Sequence, residues 1–558
     1  MIFTFFLLCV FGAGAWAQQP PVREVEAPSL TLDKGAMTEV EELSESLANF
    51  LLDFSDAIGA GDLPGVARFC RPQLTEVTFP GHLAGGGQTL KWISESGWKL
   101  EESHAVNVSR DVWLKRWEGF LATFSEIEDV RFKVKDAEFK AESGMTGSGR
   151  ISFFLVGRGR NHQRLWVKGR GRVTAQRSKS GGWKISAMTF EDVQSLSAAV
   201  DLFSEISAPA EGAASLPPYG SAGNDDFIYH GAAAGDLNAD GLVDLVVAGI
   251  ADTYVYINKG NGTFQETGWD LGIPPNRSWT APLLLDFDND GDQDLFFAAV
   301  GLQALFENRL RPEGKLRFRD ISLESGVSRP AVGFSAVAGD VNNDGLPDIY
   351  VTSYNRYGRV MPDSWYRASN GTPNLLFINQ GDGSFREAAA RWGISDSRWS
   401  YAAEFADLNG DGRQDLYVAN DFGENGFYVN LGNRFENRAA SSGVLDPGNG
   451  MGVSLGDYNN DGQLDLLVTN MSSTAGNRIL NRLFPGSQSQ DNVLKKLAAG
   501  NNLYQGASDG SFRDVTAQVG PFSAGWAWGG VFFDFDNDGW QDLYSPNGFI
   551  SGKSKKDT

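Results

Sequence analysis

Six times along the chain an aspartate heads the same nine-residue pattern, D-x-D/N-x-D-G-x-x-D. The stretches are GDLNADGLVDLVVAG from Gly235, LDFDNDGDQDLFFAA from Leu285, GDVNNDGLPDIYVTS from Gly339, ADLNGDGRQDLYVAN from Ala406, GDYNNDGQLDLLVTN from Gly456 and FDFDNDGWQDLYSPN from Phe533. Positions 1, 3, 5 and 9 all carry side-chain oxygen. They are Asp236, Asn238, Asp240 and Asp244; Asp286, Asp288, Asp290 and Asp294; Asp340, Asn342, Asp344 and Asp348; Asp407, Asn409, Asp411 and Asp415; Asp457, Asn459, Asp461 and Asp465; and Asp534, Asp536, Asp538 and Asp542. An all-oxygen donor set suits a hard cation, and calcium takes six to eight oxygens. Glycine at position 6 allows the sharp bend that turns the first three ligands inward, and the carbonyl of position 7 can add another. An EF-hand would close the site with a glutamate at position 12 inside a helix. Position 12 here is apolar, as Val247, Phe297 and Val468 show, so the segment after the loop reads as a strand. The dockerin alternative fails for the same reason. A lone Asn-Asp-Gly would read as a turn without metal; six copies with acids at fixed offsets read as six calcium sites. Of the 24 ligand positions 20 are carboxylates, and six bound Ca²⁺ would move the net charge from −22 to −10.

Something must place these loops in register. The first aspartates lie 50, 54, 67, 50 and 77 residues apart, a period that points to a propeller or a solenoid. Most units share a second part: YVYINKGNGTFQE, LLFINQGDGSFRE, FYVNLGNRFEN and NLYQGASDGSFRD each read strand, Asn/Gly turn, strand. One unit is then strand A, calcium loop, strand B, connector, strand C, turn, strand D, which is a four-stranded propeller blade. A–B and C–D loops fall on one face, and B–C and D–A connections on the other. The long insertions 353–373 and 470–501 are both B–C. The second face also receives Trp279, Arg329, Phe334, Trp365, Tyr366, Trp399, Tyr401, Trp526 and Trp528. Exposed Trp, Tyr and Arg are favoured at binding sites, so this set is the candidate ligand surface; any single ring among them could instead fill the core.

The region 225–558 resembles the FG-GAP/VCBS repeat family of calcium-loop propellers related to integrin α-subunits, with GFSAVAGDVNNDG and WGGVFFDFDNDG similar to its repeat starts. It is closer to the cartilage-acidic-protein-like group associated with ASPIC/UnbV segments. The resemblance implies calcium binding at all six loops and a mainly β fold. That fold is a propeller with six recognisable repeats, seven blades if complete. One departure stands out: the sixth unit stops after strand B, at SPNGFISGKSKKDT. Either the chain is a fragment or residues near 215–232 complete that blade, so blade number and ring closure stay open.

Residues 38–200 read differently. Leu47, Phe50, Leu51, Phe54 and Ile58 recur at helical spacing, a second helix follows from Leu63 to Phe69, and a third is expected over 110–127. Alternating stretches at 130–141, 149–160, 163–178 and 181–196 read as strands. This small α+β domain resembles the NTF2-like (SnoaL-like) fold. His82, His104 and His162 are scattered and make no catalytic set. Ten basic residues and no acidic one lie between Arg150 and Lys184. They form either a solvated sheet face or a surface that docks on the acidic repeats or an anionic polymer.

Residues 1–17 read as a signal peptide, with an apolar run and an Ala15-Trp16-Ala17 cleavage site. The run is short for a membrane span, so no span is expected after cleavage. Residues 18–37 read as a mobile lead-in and 201–224, rich in Ala, Ser, Pro and Gly, as a linker. Cleavage would leave Cys70 as the only cysteine, which excludes an internal disulfide. Residues 18–200 hold 23 basic and 24 acidic side chains, so nearly all of the net −22 belongs to the second region. Nucleic acid is excluded as a partner on charge. The expected product is a secreted, periplasmic or cell-surface binding or adhesion module for a protein or glycan, stabilised by about six structural calcium ions and non-catalytic. The alternatives are a calcium-dependent propeller enzyme such as a polysaccharide lyase, or a purely structural component. A lyase needs a base and a charge stabiliser, and His230 is the only histidine in the repeats.

Overall fold

A computed structural model describes residues 34–203 and 231–547, apart from short stretches at 76, 84–88, 90–91, 102–106, 141–144, 179–181, 250–251, 277, 356–359, 474–475, 478, 481–492 and 521–523. The signal peptide, almost all of the lead-in and linker, His104, His230 and residues 548–558 lie outside the described residues.

The first domain packs three helices on one curved sheet. Helix α1, Lys34–Gly59, buries Leu43, Leu47, Leu51, Phe54 and Ile58 along one stripe. Helix α2, Leu63–Ala67, starts at Asp62, whose carboxylate accepts the Gly65 amide at 2.9 Å. Helix α3 spans Arg110–Leu121. It is six residues shorter than the sequence pattern suggests, because Phe124 opens a long strand, Phe124–Val134, that pairs with Thr146–Gly159. The apolar spacing past Leu121 belongs to a strand with one face buried. The sheet runs in spatial order Phe79–Leu83, Ile93–Glu101, Trp183–Ala198, Arg164–Arg177, Thr146–Gly159, Phe124–Val134. Phe54, Phe79, Trp113, Trp117, Phe132, Phe153 and Phe190 fill the space between helices and sheet. Ser55 ties the two layers by accepting the Phe132 amide at 2.9 Å.

The second region is a succession of antiparallel meanders. Repeat 1 has strands A to D at Gly231–Gly235, Asp244–Ala248, Thr253–Asn258 and Phe264–Glu266. Repeat 2 has Trp279–Leu285, Asp294–Leu302, Ala304–Asn308 and Phe318–Asp320. Repeat 3 has Pro330–Gly339, Asp348–Ser353, Leu375–Asn379 and Phe385–Glu387. Repeat 4 has Ser400–Ala406, Asp415–Asn420, Gly426–Asn430 and Phe435–Asn437. Repeat 5 has Gly450–Gly456, Asp465–Asn470, Asn502–Gly506 and Phe512–Asp514. Repeat 6 shows a pair, Val531–Phe533 and Asp542–Tyr544. Strands pair in chain order within each repeat, so A–B and C–D connections share one end and B–C and D–A the other. Strand A of each repeat lies against strand A of the next.

The core is shared between repeats. Val246, Val255 and Ile273 of repeat 1 pack with Leu295, Phe297 and Phe306 of repeat 2. Phe287, Phe296 and Val327 pack with Ile349, Val351 and Phe377, and the same holds from repeat 3 to 4, 4 to 5 and 5 to 6. A single repeat therefore exposes half of a core and depends on its neighbours.

Candidate functional site: aspartate loops at one end, an aromatic strip at the other

All six loops take one conformation. The first aspartate accepts two backbone amides of its own loop, that of position 5 at 3.0–3.1 Å and that of Gly at position 6 at 2.8–2.9 Å. Position 5 accepts the position 7 amide, as from Leu242 to Asp240 at 2.8 Å. Position 4 is left-handed in every copy: Ala239, Asn289, Asn343, Asn460 and Asn537 have φ of 55–60°, and Gly410 has 72°. Asparagine and glycine tolerate this region best, which explains the loop's composition beyond its four ligand positions.

The ninth residue opens strand B and faces inward. Asp244, Asp294, Asp348, Asp415 and Asp465 are at most 1% exposed. Each accepts the position 2 amide, and the amide at the end of strand C reaches the other oxygen: Asn258, Asn308, Asn379, Asn430 and Gly506 donate at 2.7–2.9 Å. Burial pushes these carboxyls up, Asp294 to about 8, Asp348 to about 7, and Asp415 and Asp465 to about 6. Neighbouring loop aspartates add to the rise. A carboxylate that costs this much to ionise, held among other carboxylates, fits a bound cation. In repeats 2 and 6 the oxygens of Asp286, Asp288 and Asp294, and of Asp534, Asp536 and Asp542, already lie within 4.8 Å of one another. Positions 1, 3, 5 and 9 would hold the ion, which would supply positive charge and a tie between strands A and B.

Two devices that sequence reading missed join the loops of neighbouring repeats. Asn289, Asn343 and Asn460, at position 4, donate to the carbonyl of the position 6 glycine of the following repeat, Gly345, Gly412 and Gly539. Asn308, Asn379 and Asn430, at the end of strand C, donate to Leu237, Phe287 and Val341 of the preceding repeat at 2.8–3.0 Å. Both asparagines recur at fixed places in the repeat, so an alignment of the units would have flagged them.

At the opposite end the aromatic residues sort into two groups. Trp279 is 4% exposed and stacks on Phe297 at 4.1 Å, and Trp399 is fully buried with its indole N–H on Asn370 Oδ1 at 2.8 Å. Both are core side chains and correct the expectation of a ligand role: strand A begins inside the molecule here, so its first ring fills the repeat junction. The others join a strip of touching rings that passes through the buried Trp399, Tyr354 and Phe422. Trp365 packs on Phe422 at 5.5 Å, Phe422 on Trp399, Trp399 on Tyr354, and Tyr354 on Phe334 at 4.6 Å. Phe334 meets Tyr401 at 5.1 Å, Tyr401 meets Trp528 at 5.8 Å and Trp528 meets Trp526 at 6.3 Å. Trp365 is exposed, and Phe334, Tyr401, Trp526 and Trp528 are half-buried. Tyr366 is half-buried under Arg367. Arg329 is exposed and the structure gives it no ring contact among the described residues. Tyr354 and Phe422, also in B–C connections, were not singled out; Tyr354 donates to the buried Asp421, whose carboxyl burial raises to about 6.

In the first domain, Arg150, Arg158, Arg164 and Arg170 pair with Asp136, Asp201, Glu128 and Asp192 on neighbouring segments. Much of the basic run is therefore neutralised locally. His82 and His162 are exposed and far apart in sequence role, one in a strand and one in a turn.

The FG-GAP-like repeat family matches residues 236–297, 340–418, 407–468 and 492–545. The chain carries FG-GAP-like repeats. Human cartilage acidic protein 1 is 31% identical over 142 residues, which are 24% of this chain and 19% of that protein. The mouse protein is 27% identical over 174 residues, 30% of this chain and 24% of that one. The matches thus span a quarter or less of these relatives' own length. Among solved structures, an Agrocybe aegerita lectin that recognises non-reducing terminal N-acetylglucosamine aligns at TM-score 0.33 and 17% identity, over 57% of this chain and 74% of that one. An NTF2-like superfamily protein of Salmonella enterica aligns at TM-score 0.19 and 9% identity, over 28% of this chain and 92% of that one. NTF2-like proteins of this kind are neighbours of the N-terminal part.

Proposed function

We propose that the repeats form a calcium-stabilised β-propeller that serves, outside the cytoplasm, as a non-catalytic binding or adhesion module for a protein or glycan. One observation carries this reading: the same repeats put rigid, buried-aspartate loops at one end and a partly exposed aromatic strip at the other. Calcium at the loops would lock strands A and B of every unit, and the strip would meet the ligand. With an affinity of ~10⁻⁴ M and ~1 mM calcium, a filled loop adds roughly 1.4 kcal/mol. Six add about 8 kcal/mol, comparable with the whole stability of a typical domain.

Large aromatic faces with a polar edge suit protein hot spots and sugar rings alike. A screen of glycans and extracellular proteins, run with the full chain in calcium, tests the proposal. Tyr401→Ala and Trp528→Ala should weaken the selected ligand tenfold or more, about 1.4 kcal/mol or above, with the melting temperature nearly kept. Turnover of a uronic-acid polysaccharide would move the protein to the lyase class instead. Among the described residues no helix is long and apolar enough to cross a membrane, which suits export of the chain.

A further inference from the structure

Repeats 4 and 5 enter strand A by equivalent turns, Asp396-Ser397-Arg398-Trp399 and Asp446-Pro447-Gly448-Asn449. In the first, the buried Asp396 has a full counter-charge. Arg398 Nε and Nη2 reach its two oxygens at 2.9 and 2.6 Å, and Tyr428 Oη donates at 2.7 Å. In the second, Asp446 is 1% exposed and the arginine's place in the chain is taken by Gly448. Among the described residues its oxygens receive the Gly448 amide at 2.9 Å and Asn470 Nδ2 at 2.8 Å. Tyr504, the counterpart of Tyr428, accepts from Asn502 instead. Lys496 acts on Asp446 through its charge, and no ion pair to Asp446 is formed among the described residues.

The surroundings of Asp446 are short of donors rather than acceptors. Asn449, 7% exposed, and Asn470, 1% exposed, each leave a side-chain oxygen without a partner, as does Thr469 beside Asn470. Asn470 holds its amide against Asp446, and Asn449 bonds to the buried Asp421. A buried carboxyl among unpartnered oxygens either keeps its proton or gains a cation. A side chain at position 448 has no room, since a Cβ there would stand 2.9 Å from Asp446 Oδ1 and 3.0 Å from Asn470 Cγ. A bare ion needs no such room.

We propose that Asp446, with the side-chain oxygens of Asn449 and Asn470, binds one calcium ion at the end of the repeats opposite the aspartate loops. This ion replaces the arginine that repeat 4 keeps, and it fixes the turn beside the aromatic strip. It stands apart from the loop sites and from the ligand reading. The test is equilibrium dialysis of the full chain against calcium, with ions per chain counted by elemental mass spectrometry. Asp446→Asn and Asn449→Ala should each bind one ion fewer than the wild type, and Asp236→Asn in the first loop gives the comparison for a loop ion. Equal counts in the wild type and Asp446→Asn overturn the proposal, including the case in which Lys496 swings in as the counter-ion. If Asp446→Asn does not fold, the same equality with Asn449→Ala overturns it. A count that falls with Asp446→Asn but not with Asp236→Asn keeps this site and removes the loop reading.

Discussion

At the scale of single residues the chain spends its charge where the fold can hold it. The four oxygen positions of each loop were legible because ligand chemistry fixes residue type and offset together. The left-handed asparagine at position 4 and the stapling asparagine of strand C were not singled out, because each acts through backbone hydrogen bonds that leave no charge pattern. Burial decided Trp279 and Trp399, and burial of a ring at a strand start depends on the next repeat. Another residue makes its own prediction. Glu404, in strand A of repeat 4, has its carboxyl raised to about 7 by loss of solvent, against an ordinary glutamate near 4.3. Between those values the folded chain binds more protons than the unfolded one, so this group's contribution falls as pH rises and is fully lost above about 7. Glu404→Gln should come closest to the wild type near pH 4 and resist urea better at pH 8, both in calcium. Equal denaturation midpoints at pH 8 would show that the site does not penalise the charge.

At the scale of elements, strand–loop–strand units could be read directly, since glycine-bounded apolar runs of this length have one sensible pairing. Junctions between units could not, because they depend on side chains 50 or more residues apart. Asn379 spans one junction, donating to Phe287 O at 2.8 Å and Pro347 O at 3.2 Å. Asn379→Ala strands two buried carbonyls and should cost about 1–3 kcal/mol, measurable as a lower midpoint in chemical denaturation. The junction of repeats 4 and 5 has neither asparagine: Gly410 stands at position 4 and Gly506 at the end of strand C. Amides of strand A in repeat 5 should therefore exchange with deuterium faster than those of strand A in repeat 3. A Gln–Gly alternation is also visible once the units are stacked. A Cβ on Gly235, Gly339 or Gly456 would meet the side-chain oxygen of Gln293, Gln414 or Gln541 at 2.2–2.4 Å. Odd repeats thus leave the space that even repeats fill, a pairing hidden until the neighbours are known.

At the scale of the whole molecule, a domain of near-balanced charge precedes an array of strong negative charge built on shared cores. On the proposed reading, six unfilled carboxylate loops at one end repel one another, and calcium would make them ties at every strand A–B turn. A large part of the repeats' stability would then lie in the metal. Differential scanning calorimetry of the full chain in 1–2 mM calcium and in excess EDTA tests this most directly. The repeats should melt markedly lower in EDTA, the first domain's transition should stay in place, and added calcium should restore the upper transition. Superimposable melting curves in calcium and EDTA would contradict it.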